Sequence, residues 1–199
     1  MGMESFGRQL SGITLAPYIH KGMALIGVAR RAGSNMFRHQ IATMGILLDY
    51  QKLDSVLLKA SVIHDLFEDA AGMPGVSKEE IVAIDSDGPA VYDLVMEVTI
   101  RTVNGHREPK WEYLTRVLKT GSDRAKVLKL ADRISNMTSL GFVHDPEFVR
   151  RYLEETKAYV LPYARQINED MYRELTDLVS HREQRLFLLA TAQTAPASG

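Results

Sequence analysis

The sequence predicts an all-α domain. Apolar residues recur at helical spacing, caps stand at the breaks between the apolar runs, and the one strand-like stretch is too short to build a sheet on its own. Ile41, Met44, Leu47 and Leu48 mark one helix face, and Val56, Leu57, Ala60, Ile63 and Phe67 a second. Ser77-Lys78-Glu79-Glu80 has the spacing of a capping box ahead of Ile81. Val91, Leu94, Val95 and Val98 form a third face. The β-branched run Val98–Val103 then enters Asn104-Gly105, a hairpin-turn pair, although His106-Arg107-Glu108-Pro109 makes a poor second arm. Gly121-Ser122-Asp123 supplies a break and a cap before Val127, Leu128 and Leu130, and Asp145-Pro146 starts a helix carrying Phe148, Tyr152 and Tyr159. With no internal repeat and no linker, a single domain over residues 5–190 is expected, followed by a frayed tail at 191–199, which is small and polar.

Composition narrows the chemistry. The 199 residues carry 24 Lys+Arg against 25 Asp+Glu, a net charge of -1, so no global basic excess drives binding to nucleic acid or to an anionic membrane. There is no cysteine, which excludes thiolate zinc sites, iron–sulfur clusters and thiol catalysis, and suits a reducing cytoplasm. The apolar stretch Met23–Ala29 is far shorter than the ~20 residues of a membrane span and ends in Arg30-Arg31, not at a cleavage site. Met1-Gly2 lacks the downstream hydroxyl of a myristoylation signal, Phe6 standing there instead. A cytoplasmic protein is expected, with neither membrane nor nucleic acid as partner; homo-oligomerisation stays open.

Any metal must therefore be held by His and carboxylates. Of His20, His39, His64, His106, His144 and His181, two precede Asp. His144-Asp145 stands before Pro146, where the Asp serves as a helix cap. His64-Asp65 instead lies inside the apolar run Ala60–Asp69, with Glu68 and Asp69 each one helical turn beyond. An imidazole and three carboxylates on one arc repel one another unless a cation compensates them, and a divalent metal does so economically. Taken alone, the same arc also fits a solvated helix face closed near Gly72. The segment Val127–Met137 adds Asp132 on an apolar face, with Asn136 one turn later, and His39 opens the helix ahead of Ile41. His39, His64, Asp65 and Asp132 would supply two nitrogen and two oxygen ligands and leave positions for water and a phosphate oxygen.

These residues resemble the HD superfamily, and within it the hydrolase domain of the RelA/SpoT family, which removes pyrophosphate from ppGpp and pppGpp. Arg30-Arg31-Ala32-Gly33 followed by His39 is similar to the family's Arg-Lys-x-Gly segment and first metal histidine. Ile63-His64-Asp65-Leu66-Phe67-Glu68-Asp69 resembles its Leu-His-Asp-x-x-Glu-Asp-Thr motif, and Lys129–Met137 its Lys-Leu-Ala-Asp-Arg-Leu-His-Asn-Met helix. The likeness spans residues 25 to 178. It implies an HD-type helical bundle, one Mn(II) per chain on His39, His64, Asp65 and Asp132, and Glu68 and Asp69 as the acidic pair handling the attacking water. Arg30, Arg31, Lys129, Asn136 and Ser139 would bind the nucleotide, Arg30 against the base and Arg31 toward phosphate.

The sequence departs from the family at Asn35-Met36, Gln40, Ala70, Ser135 and Thr138, none of which is an expected ligand. Because the family's bifunctional members continue into a synthetase domain, the chain most resembles the stand-alone small alarmone hydrolases. An HD-class 5′-nucleotidase and a metal-free alarmone-binding module are the alternatives. Arg150-Arg151, Arg182 and Arg185 read as solvated helix faces, and Trp111 and Tyr113 as packing residues.

Overall fold

A computed structural model describes residues 3–194. Helices α1 (Met3–Ser11) and α2 (Ala16–Gly22) lead, through a 3-10 turn at Met23–Leu25 and a loop, into α3 (Met36–Asp49). Next come α4 (Ser55–Ser61), α5 (Leu66–Asp69), α6 (Lys78–Val82) and α7 (Gly88–Val98). A hairpin of β1 (Thr102–Val103) and β2 (His106–Arg107) precedes α8 (Lys110–Thr115), which runs on into a π-helical turn at Arg116–Thr120. The chain closes with α9 (Asp123–Ser139), α10 (Pro146–Tyr159), α11 (Leu161–Ile167) and α12 (Glu169–Thr194). The all-helical expectation holds, with the hairpin as its one sheet among the described residues.

The caps form as the sequence indicates. The Ser77, Ser122 and Asp145 side chains accept from the backbone N–H of Glu80, Ala125 and Phe148. The poor second arm pairs after all, because Asn104 and Gly105 both take positive φ, 52° and 77°, and turn the chain tightly enough to set Val103 opposite His106. Val98 to Arg101 do not extend that strand; Val98 closes α7. The tail expected from residue 191 is helical to Thr194, and its remainder lies outside the described residues.

One expectation fails. The run Ala60–Asp69 is not a continuous helix but α4, a turn at residues 62–65, and α5. The Ser61 carbonyl accepts from the His64 ring, and the Asp65 N–H turns to Gln40 Oε1, so side chains replace the helix ladder at this point. Gly22 permits the break: a Cβ there would stand 2.5 Å from the Val62 carbonyl oxygen.

The core forms where α3, α4, α7 and α12 gather around α9, on Leu47, Leu58, Ile63, Leu114, Leu128 and Leu130, all buried. Arg133 is buried within it and ties α9 to α10, donating to Thr156 Oγ1, Glu155 Oε1 and the Tyr152 carbonyl with its guanidinium 3.8 Å from the Tyr152 ring centroid. Among the described residues no helix is long and apolar enough to cross a membrane.

Candidate active site

The packing of α3 on α9, with the 62–65 turn beside them, brings the expected metal ligands together. His39 Nε2 lies 3.4 Å from Asp65 Oδ2 and 3.0 Å from Asp132 Oδ1, and His64 Nε2 lies 3.3 Å and 3.7 Å from the same two oxygens. His39, His64 and Asp65 each present a ligand atom within 4.8 Å of the others. Both histidines and Asp132 are buried.

The His64 tautomer is set from behind. A carbonyl can only accept, so the Ser61 carbonyl, 2.7 Å from His64 Nδ1, fixes the proton there and leaves Nε2 for a cation. That Nε2 has no hydrogen-bond partner although it is fully enclosed. Its distances to the carboxylates suit an ion pair, but it is aligned for a hydrogen bond with neither. His39 Nδ1 meets Ser135 Oγ at 2.8 Å, a hydroxyl that can donate or accept, and Gln40 Nε2 donates to Asp65 Oδ2 at 2.9 Å. A buried nitrogen aimed at carboxylates without a partner, and neutral donors oriented from outside, fit a divalent cation on nitrogen and oxygen ligands.

Neighbouring cations keep the carboxylates ionised. Burial alone would raise Asp65, but His64 and His39 bring it below the ordinary carboxylate value. Burial opposes the ionised Asp132 too, and Lys129 with the two histidines holds it well below that value. Asp132 is engaged on both oxygens, by Lys129 Nζ and by Asn136 Nδ2.

Glu68 and Asp69 line the same cavity as Asp65 and Asp132 but are held differently. Glu68 accepts the Ile100 N–H at 2.9 Å and pairs with Arg107 of β2 at 3.1 Å, so the hairpin fixes it. Asp69 is raised above its ordinary value by burial, then by Asp65 and Glu68.

Two contiguous cavities open here. The smaller, about 280 Å³, holds Asp65, Glu68, Asp69 and Asp132 together with Arg31, Lys110 and Lys129. The larger, about 500 Å³, has walls from Ala42, Ile46, Ile134 and Phe142, with Ser139 and Glu174 on its lining. Arg30 and His39 line both. Arg30 is steered by Asn136 Oδ1, which accepts from it at 2.5 Å, and by the Gly33 carbonyl at 3.3 Å; burial lowers its pKa. Arg31 stands at the rim, exposed, against Asp145 at 3.3 Å and the Phe148 ring. Ser139 lines the larger cavity only, apart from the acidic cluster.

Sequence reasoning missed several lining and supporting residues. Lys110 is exposed as a residue, yet its ammonium sits 4.9 Å from the Tyr113 ring centroid, and burial with the nearby Lys129 pushes its pKa down to about 8. Tyr113 and Tyr152 line the smaller cavity, while Trp111, expected to pack, is exposed. Gln40 and Ser135 left one signal: each is polar yet falls on a buried helix stripe, Gln40 with Thr43 and Leu47, Ser135 with Leu128 and Asp132. Arg182 and Arg185 are not merely solvated. Arg182 donates to the Met137 and Thr138 carbonyls and Arg185 to that of Gly141, at the C-terminal end of α9.

Comparison with known proteins agrees with this geometry. No protein-family model matches the chain. Proteins named GTP pyrophosphokinase rsh from Brucella ovis and Brucella abortus are 30% identical over 155 residues, 75% of this chain and 20% of theirs. A guanosine-3′,5′-bis(diphosphate) 3′-pyrophosphohydrolase from Haemophilus influenzae is 28% identical over 155 residues, 76% of this chain and 22% of its own length. The chain thus spans about a fifth of the curated relatives it matches. A solved structure of a metazoan ortholog of SpoT, described as hydrolysing ppGpp and acting in starvation responses, superposes with TM-score 0.68 over 84% of this chain and 93% of that one, at 24% identity. In fold and in sequence, the chain belongs with the HD domains of the RelA/SpoT type.

Proposed function

We propose that the protein hydrolyses the 3′-pyrophosphate of guanosine alarmones, converting ppGpp and pppGpp to GDP and GTP with release of pyrophosphate, as a cytoplasmic metal-dependent enzyme. The observation that carries this reading is the paired cavity. A polar compartment lined by His39, Asp65 and Asp132 adjoins a largely apolar one, and Arg30 stands between them. A nucleotide with phosphates at one end and a flat base at the other matches that division. The relatives named for ppGpp hydrolysis and for GTP pyrophosphokinase support the substrate class.

His39, His64, Asp65 and Asp132 would hold one divalent ion, with Mn(II) the ion implied by the resemblance. Such an ion supplies Lewis acidity toward a phosphoryl oxygen and makes water a better nucleophile at neutral pH. The protein's own groups do the rest. Asp69 accepts a proton from the attacking water and delivers one to the 3′ oxygen as the bond to phosphorus breaks, while Glu68, braced by Ile100 and Arg107, orients the water. Lys110, Lys129 and Arg31 balance the charge of the departing pyrophosphate. Arg30 and Asn136 hold the nucleoside in register with the attack, and Ser139 offers a hydroxyl on the base side.

The test is incubation of the purified chain with Mn(II) and a panel of purine nucleotides bearing 3′ or 5′ phosphates, with product identification. GDP and pyrophosphate from ppGpp are expected. Release of inorganic phosphate from 5′-monophosphates alone would favour the nucleotidase alternative, and binding without turnover under every metal would favour a sensor module.

A further inference from the structure

We propose that Glu174 selects the purine: its carboxylate, presented by α12 to the larger cavity, accepts hydrogen bonds from the N1–H and 2-amino group of a guanine and disfavours adenine. The inference rests on the nucleotide-hydrolase reading above and deepens it by assigning the residue that reads the base.

The acidic cluster and the ammonium groups of Lys110 and Lys129 line the smaller cavity, which leaves the larger one, walled by Ala42, Ile46, Ile134 and Phe142, for a flat and weakly polar ring. Glu174 is the one carboxylate lining that larger cavity. It is half-buried and positioned, since the Tyr50 hydroxyl, just past the end of α3, donates to its Oε2 at 2.6 Å. One oxygen is thereby engaged and the orientation of the other is set. The Watson–Crick edge of guanine places two adjacent donors, N1–H and N2–H, which a carboxylate accepts together. Adenine has a lone pair at N1, which faces a carboxylate unfavourably, and one donor, its 6-amino group. Arg38 lines the same cavity and supplies a donor for the guanine O6; against adenine it would meet the 6-amino group, donor against donor. A site built to satisfy an N–H discriminates strongly against an analogue lacking it, because its own polar groups are then left unpaired.

Calorimetric titration of the full chain with guanosine, inosine and adenosine 5′-diphosphates tests this without turnover, as none carries a 3′-pyrophosphate. The parent should bind in the order guanosine, inosine, adenosine, because inosine keeps N1–H and lacks the 2-amino group. In Glu174→Gln the preference of guanosine over adenosine should fall by about 10- to 100-fold, the range of one or two charge-assisted hydrogen bonds, with an unchanged melting temperature. Tyr50→Phe should lose part of that preference. A parent that binds the three alike overturns the proposal. So does a Glu174→Gln variant that keeps the parental order, or one that weakens all three ligands equally. The underlying reading is checked separately. A parent that prefers guanosine diphosphate yet hydrolyses no 3′-pyrophosphorylated nucleotide would sink the hydrolase assignment and leave the base selection standing.

Discussion

His64 and Asp65, adjacent in the chain, bring Nε2 and Oδ2 to 3.3 Å of each other without a hydrogen bond between them. The other ring nitrogen of His64 is committed to the Ser61 carbonyl. The gap at Nε2 fits a cation, and without a metal a proton can take that place.

Burial alone would lower the His64 pKa, but Asp65 and Asp132 outweigh it and raise the value from 6.5 to about 9. A folded value above the unfolded one means that the folded state holds the proton more tightly. The resulting stabilisation, on the order of 3 kcal/mol, is whole below pH 6.5 and is lost as pH rises through about 9. Asp65, depressed, works in the opposite sense: its contribution is present above its ordinary value and is lost as pH falls. Chelator-treated protein should therefore melt progressively lower as pH rises across the upper window. Added Mn(II) should reverse the trend, its affinity rising with pH as the proton it displaces becomes easier to remove. A melting temperature of metal-free protein that is flat or rising between about pH 6.5 and 9 would remove the proton from His64.

Asp69→Asn should retain metal and nucleotide and lose roughly 100- to 10,000-fold in kcat, the usual contribution of general acid–base catalysis. The catalytic pH profile of the parent should show a group titrating above the ordinary aspartate value, since burial and then Asp65 and Glu68 raise Asp69. Glu68→Gln keeps an acceptor for the Ile100 N–H but loses the Arg107 ion pair. Arg107→Ala isolates that second effect: if Glu68 acts only by bracing the hairpin, the two variants lose the same activity. Loss of metal from Asp69→Asn as complete as from Asp132→Asn would make Asp69 a ligand and end the division of roles.

How far the site could be read in the sequence depended on the distance over which each signal acts. His64 and Asp65 lie inside an apolar run and Asp132 interrupts an apolar face, so local pattern marks them, whereas His39 is marked only as a histidine at the start of its helix. The break at residues 62–65 is hidden, because the propensities through Ala60–Asp69 favour a helix and contacts of the folded chain, the His64 ring on the Ser61 carbonyl and the Asp65 N–H on Gln40 Oε1, override them. Lys110, Tyr152 and Glu174 carry no local mark either. Each is polar on an otherwise ordinary amphipathic helix, and only the assembly of α8, α10 and α12 around α9 brings them to the cavities. Arg182 looks solvated in the sequence for the same reason: its acceptors, the Met137 and Thr138 carbonyls, lie 45 and 44 residues away.

The two neighbouring arginines should separate. Arg30 is largely shielded from solvent and fixed by Asn136, so Arg30→Ala should weaken nucleotide binding by roughly 1.5–3 kcal/mol. Arg31 is exposed at the rim, where salt screens its charge, and Arg31→Ala should cost at most about 1 kcal/mol, diminishing as salt is added. Calorimetry at low and high salt reads both. Equal losses with equal salt dependence would mean that Arg30 is no more desolvated than Arg31 when the nucleotide is bound.

The C-terminal end of α9 supplies the last prediction. Arg182 donates to the Met137 and Thr138 carbonyls and Arg185 to that of Gly141, so α12 bonds the carbonyls of the helix end and places positive charge where the helix dipole is negative. A Cβ at Gly141 would come within 2.9 Å of the Arg182 guanidinium. Gly141→Ala should therefore displace Arg182 and act much as Arg182→Ala does, each lowering stability by about 1 kcal/mol. Ser139 and Phe142 line the larger cavity, so both variants should raise KM. Asp132 lies about two helical turns inside α9, so kcat should hardly move. Because both substitutions break the same contact, the double variant should be no worse than Arg182→Ala alone. Additive losses in thermal melts, or a fall in kcat with KM unchanged, would show that Gly141 and Arg182 act independently of the helix end that joins them.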